Sequence, residues 1–129
     1  PVAMGGRSVG GAGFSYNPAT QSGQKGATAY TKSAVELQGP NNIGQLITTW
    51  GRVTWASGNS FRIDDGSGCN DYATIGTDTP NGLKATVPSG VTAPTVGSYV
   101  TVTGISSLYE LDGGIRRLVY VRQQSDIWP

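Results

Sequence analysis

Residues 46–55, LITTWGRVTW, set Ile47, Thr49, Gly51, Val53 and Trp55 on one parity and Leu46, Thr48, Trp50, Arg52 and Thr54 on the other. A period of two sustained over such a stretch belongs to a β-strand with one face turned to a core, and it excludes an amphipathic helix. The same pattern repeats down the chain. After the turn segment ASGNS, where Gly58 and Asn59 can take a positive φ, Phe61 and Ile63 alternate with Arg62 and Asp64. GLKATVP is a third run that ends at Pro88, and SYVTVTGIS is a fourth with Val100 and Val102 on its inner face. IRRLVYVRQQSDI follows the turn ELDGG as a fifth, while the intervening SGVTAPTVG carries no helical period. Five runs at this spacing predict an all-β domain, a small Greek-key barrel closed or nearly so.

Composition agrees with that class and narrows the function. A chain of 129 residues suits one domain, and its 20 Gly beside many Ser and Thr suit tight turns between strands. Charged residues make up 13% and the formal net charge is +1, well short of the basic balance of a dedicated nucleic-acid binder. The inventory resembles secreted or cell-surface proteins more than cytosolic enzymes. Cys69 is the single cysteine, so it forms no internal disulfide and is expected as a small turn residue. No apolar run approaches the roughly 18 residues of a bilayer span, so no membrane insertion is expected. No signal-peptide pattern opens the chain, and Pro1 in place of Met is expected of a processed mature chain or a piece of a longer one.

A composition shift near residue 40 divides the chain into a Gly-rich N-terminal arm, residues 1–40, and a β-barrel, residues 41–129. The arm's apolar residues are too sparse for a core of its own. In SAVELQG, Val35 and Leu37 alternate with Glu36 as a short added strand would.

Residues 43–127 resemble an OB-fold domain, the residues that carry the likeness being GRVT, FRIDDGSG, GLKATV, VGSYVTVTGIS and RRLVYVRQQSDI in that order. The layout is also similar to OB-like modules of secreted bacterial proteins. The resemblance implies a five-stranded barrel in which Gly51 lets the long first strand bend. It also implies that ligands lie on the face of the second and third strands. The chain departs from many OB folds between the third and fourth strands, where it has a Gly and Pro loop instead of a helix.

FRIDDGSGCNDY, residues 61–72, gathers Asp64, Asp65 and Asp71. Calcium binding is one reading, but the acids lack EF-hand spacing, and adjacent strand residues point to opposite faces. The favoured reading is a turn in which carboxylates accept backbone N–H groups and Gly66 and Gly68 supply left-handed geometry. No metal and no cofactor is expected. With no His there is no Ser-His-Asp triad, no Cys-His pair and no common zinc site. Ser22 and Lys25 match an S-x-x-K spacing by chance, and Glu36 and Glu110 do not make a facing carboxylate pair. The chain is therefore expected not to be an enzyme.

Two functions remain. The first is a secreted structural subunit that self-assembles into a filament or other polymer, its arm adding to a neighbouring copy through Val9, Phe14, Tyr16, Val35 and Leu37. In layout alone this resembles donor-strand filament subunits. The second is a binding module for single-stranded nucleic acid or oligosaccharide. Its face would be Arg52, Trp55, Arg62 and Lys84, with Trp50, Tyr72 and Tyr109 as further stacking residues. Arg116, Arg117 and Arg122 alternate around the fifth strand and cannot all join that face.

Overall fold

The computed structural model describes residues 1–11, 14–17, 19, 22–24, 40–71, 80–111 and 114–129. Its strands are β1 (Val2–Ala3), β2 (Phe14–Asn17), β3 (Ser22–Gln24), β4 (Leu46–Ser57), β5 (Ser60–Asp64), β6 (Leu83–Thr86), β7 (Tyr99–Leu111), β8 (Gly114–Val121) and β9 (Ile127–Trp128). Two short 3-10 turns span Gly6–Ser8 and Gln124–Asp126, and no α-helix occurs among the described residues. The all-β class read from the sequence therefore holds, and the five expected runs correspond to β4 through β8.

Seven strands form one sheet in the order β1-β4-β5-β6-β8-β7-β9, and β4 also pairs with β7. The sheet thus returns on itself as a partly closed ring, compatible with an OB-like domain. Within the ring β6 and β8 run parallel and the other neighbours antiparallel. β2 and β3 pair separately. Ile47, Val53, Phe61, Ile63, Leu83, Ala85, Val100, Val102, Val119 and Val121 fill the interior, as their parity predicts. Gly51 is where β4 passes from one set of neighbours to the other. A Cβ there would lie 2.6 Å from the Asp64 carbonyl, so the close approach of β4 to β5 requires a residue without a side chain.

Strict alternation fails at one place. Val53 pairs with Ile63 but Trp55 pairs with Arg62, so the register shifts by one residue at Thr54. An inserted residue reverses parity beyond it. Ala56, opposite Phe61, now packs on the core, while Trp55 moves to the outer face beside Arg62.

Residues 1–11 belong to this body. β1 pairs in parallel with Ile47 and Thr48 at the edge of β4, and the Met4 N–H donates to the Thr48 carbonyl at 2.9 Å. Val9 is fully buried and part of the same core cluster. The segment is pinned by its backbone: Gly10 N–H donates to Asn42 Oδ1 at 2.8 Å, and Asn42 Nδ2 donates to the Ser8 carbonyl at 2.6 Å. Arg117 lies on the inner parity of β8 with Val119 and Val121, fully buried, and donates from Nη1 to the Gly6 carbonyl at 2.8 Å. A guanidinium at the end of an apolar interior needs such an acceptor. Val9, expected as an anchor for a neighbouring copy, is thus engaged within its own molecule, as part of the core cluster. Cys69 is buried beside Gly6 rather than displayed in a turn. Burial pushes its thiol up to about 11, so it stays protonated at neutral pH.

Candidate functional site

The residues proposed from sequence as a ligand face do share one side of the sheet. Arg52 pairs with Asp64, Trp55 with Arg62, and Arg62 with Lys84, all directed away from the core. What the sequence did not reveal is that part of this face is covered. Arg62 and Asp71 form an ion pair at 2.7 Å with side chains only 2% and 1% exposed. Tyr109, from the far end of β7, receives a hydrogen bond from Arg62 Nη2 at 3.1 Å and donates its own hydroxyl proton to Asp71 Oδ2. Burial alone would disfavour the Arg62 charge, but Asp71 and the Tyr109 hydroxyl more than offset it and raise its pKa. Burial and the Asp71 carboxylate push the Tyr109 phenol well above its ordinary value, so it remains a donor. Lys84 lies over the Tyr109 ring, 4.3 Å from its centre, and burial followed by Arg62 lowers its pKa. Arg116 donates to the Asp71 carbonyl at 2.8 Å. Of the basic residues expected on this face, Arg62 and Lys84 are therefore committed to an internal network while Arg52 is not; Tyr72 falls outside the described residues, as do Val35 and Leu37. Phe14 lies on β2 with Tyr16.

The three acids of residues 61–72 separate in the same way. Asp64 Oδ1 accepts the Gly66 N–H at 2.9 Å, and Asp65 Oδ1 accepts the Ser67 N–H at 3.0 Å. Asp65 Oδ2 accepts the Gly6 N–H at 2.7 Å. Their turn role is as expected for Asp64 and Asp65, whereas Asp71 serves Arg62. Burial pushes the Asp65 carboxyl up, but hydrogen bonds from Ser67 and the Gly6 N–H outweigh it and hold the group below its ordinary value. A carboxyl whose folded pKa is depressed contributes stability above its unfolded value of about 4, and that contribution is lost as pH falls through the folded value. Urea unfolding between neutral and acid pH should therefore show a shallower acid-side loss in Asp65→Asn than in the parent. Equal slopes would mean that Asp65 is not held in this way.

A groove of about 510 Å³ remains open along β4 and β7, bounded by the turn after β5 and by Pro129, which follows β9. Register sets two rows of side chains on this face. Trp50 on β4 lies opposite Thr101 on β7, which lies opposite Trp128 on β9. One step along, Asp64 on β5 lies opposite Arg52, which lies opposite Tyr99. Trp50, Tyr99 and Trp128 are 45%, 73% and 42% exposed. β9 is presented by the turn before it, where Arg122 makes a two-pronged contact with Asp126, Nε to Oδ2 at 2.9 Å and Nη2 to Oδ1 at 2.8 Å. Arg52 makes no ion pair among the described residues, and its guanidinium lies 3.8 Å from where a Cβ of Gly97 would stand. Trp50 and Arg52 were identified from the sequence, whereas Tyr99 and Trp128 were not. The alternation of Tyr99 and Thr101 with Val100 and Val102 is the signal that could have found Tyr99, since it puts a large aromatic on the solvent side. Compared with protein-family models, with curated proteins and with solved structures, the chain matches none of them.

Proposed function

We propose that this chain is a non-enzymatic binding module, built on a five-stranded OB-like Greek-key barrel, that holds a ring-bearing ligand in the groove along β4 and β7. The cyclic pairing of β4, β5, β6, β8 and β7, with a single parallel contact between β6 and β8, supports the barrel reading. The observation that carries the function is the display of two exposed aromatics, Trp50 and Tyr99, in a groove edged by Arg52, with Trp128 exposed beyond Thr101 on the same face. Isolated exposed aromatics are ordinary, but a contiguous aromatic patch beside a concavity with a few polar groups is the usual form of a binding site. This differs from the OB-fold expectation, since Asp71 and Tyr109 cover the outer face of β5 and β6. A secreted or cell-surface location, inferred from composition, suits a module that meets its ligand outside the cell. Self-assembly through the N-terminal arm has less support, because Val9, one of its five anchors, is engaged in its own core.

Mapping by nuclear magnetic resonance with a mixed set of small probes, sugars, nucleotides and aromatic amino acids, tests the location. Shifts should cluster at the backbone amides of Trp50, Arg52, Tyr99 and Thr101 and at the Trp50 and Trp128 indoles, and should fade in Trp50→Ala. Shifts that cluster on another face, or that survive in Trp50→Ala, would remove the groove from consideration.

A further inference from the structure

Resting on the binding reading above, we infer that the ligand of this groove is a neutral, linear oligosaccharide that crosses the strands from β9 over β7 to β4. Its rings would stack on the aromatic side chains, and its hydroxyls would be read by Arg52 and Asp64. Four observations lead to this class.

The first is charge. The groove is lined by one cation, Arg52, and two carboxylates, Asp64 and Asp65. A polyphosphate or polyuronate would meet more like charge than opposite charge there, at distances where repulsion is strong. The remaining described cations lend little help, Arg7 being half-buried beside Gly68 and outside the groove's lining. Arg62 is paired with Asp71, Arg122 with Asp126, and Lys84 is seated on Tyr109. Arg116 and Arg117 are buried. Single-strand nucleic-acid binders combine stacking with a positively charged groove, and here only the stacking half is present.

The second is the kind of polar group offered. Arg52 is a donor only and a carboxylate an acceptor only, and the two stand opposite each other on neighbouring strands. Asp64 Oδ1 is used by the Gly66 N–H, and no hydrogen bond to Oδ2 occurs among the described residues. A vicinal diol both donates and accepts, so it satisfies such a pair without bringing charge of its own. The Thr101 hydroxyl sits between the two Trp residues in the other row and offers the same dual chemistry.

The third is stacking. The faces of a pyranose ring carry C–H groups that lie flat on an indole or phenol ring, and Trp and Tyr combine a large apolar face with a polar edge. The fourth is dimension. Trp50 and Trp128 are separated by one intervening strand, so their backbones are two strand spacings apart, about 10 Å. That is the length of one disaccharide unit in an extended β-1,4-linked glycan, so the two indoles match alternate rings, and a groove open on its outer side lets both ends of a chain leave. Tyr99, diagonal to Trp50, supplies the flank of the path nearest Arg52.

Titration of the full chain followed by Trp fluorescence and calorimetry tests this. The probes are β-1,4-linked glucose and xylose series from monosaccharide to hexasaccharide, a polyuronate, and oligothymidylate, each at low and high salt. The expected result is saturable binding of a neutral series that tightens about tenfold or more with length and is insensitive to salt. Trp50→Ala and Asp64→Asn should each weaken it about tenfold, with Trp50→Phe restoring much of the loss and circular dichroism unchanged. Equal affinity for monosaccharide and hexasaccharide would overturn the extended path. Oligothymidylate binding through Trp50 and Tyr99 with a steep salt slope would overturn the glycan and leave the groove reading intact. Probe shifts at the groove with no sugar response would do the same. No response at the groove from any probe would overturn both.

Discussion

Asp71→Ala should lose about 3–5 kcal/mol of folding stability, the largest effect expected of a single substitution on the covered face. The reason is what it leaves behind. Arg62 and Asp71 have side chains 2% and 1% exposed, so the guanidinium cannot reach water without opening the cover made by Tyr109 and its neighbours. Removing the carboxylate leaves a charge in a site with too few acceptors, and it also takes the acceptor of the Tyr109 hydroxyl proton. Against a total stability of about 5–15 kcal/mol for a domain of ordinary size, such a loss decides whether the chain folds at body temperature. Replacing both partners with apolar residues removes the stranded charge, so Arg62→Met combined with Asp71→Leu should recover much of the deficit. Guanidinium unfolding of the parent, the single variant and the double variant gives the comparison. A single variant within 1 kcal/mol of the parent would mean that Arg62 finds solvent and that the pair is not the closure described.

The parts of this molecule that obey local rules could be read from the chain, and the parts that depend on distant contacts could not. Alternation along residues 46–55 and 99–105 placed Ile47, Val53, Val100 and Val102 inside, because parity is a property of the backbone itself. Gly58 at φ 58° makes the tight turn expected between the first two runs. The Asp64 and Asp65 side chains each cap a backbone N–H two residues on, as the acidic turn suggested. By contrast, the shift at Thr54 is a single inserted residue that no composition marks, so the parity of Trp55 was misassigned. The outer direction of Arg62 and Lys84 was correct, but their availability was not. The acceptor for Arg62 lies nine residues away, and the hydroxyl that completes the pair lies 47 residues away. For the N-terminal segment, a lone Val9 among glycines has too low a local apolar density to indicate a core residue. A signal did exist at the other end of the chain. Arg117 sits on the parity of Val119 and Val121, and an arginine on a core face demands a buried acceptor from somewhere else in the molecule.

Deleting residues 1–10 should therefore unfold or severely loosen the body, rather than release an intact β-domain from a dispensable arm. The deletion removes a fully buried Val9, a burial that contributes about 1.5–3 kcal/mol. It also removes the Gly6 carbonyl from Arg117 and the Gly10 N–H and Ser8 carbonyl from Asn42, all in buried or half-buried positions. Each lost partner costs about 1–3 kcal/mol where water cannot replace it. The edge of β4 at Ile47 and Thr48 is exposed as well, which invites pairing between copies. The sum rivals the whole stability of a domain, so the melting temperature should fall by more than about 10 °C, with near-ultraviolet circular dichroism lost or broadened. Val9→Ala is the milder version, with a loss of about 1–3 kcal/mol and the fold retained. Adding a peptide of residues 1–11 in excess to the truncated protein should restore stability in proportion to its concentration, because it binds only the folded body. A truncated protein that melts cooperatively within a few degrees of the parent would show that the segment rests on the body without completing it. The N-terminal arm would then be free to serve a second copy.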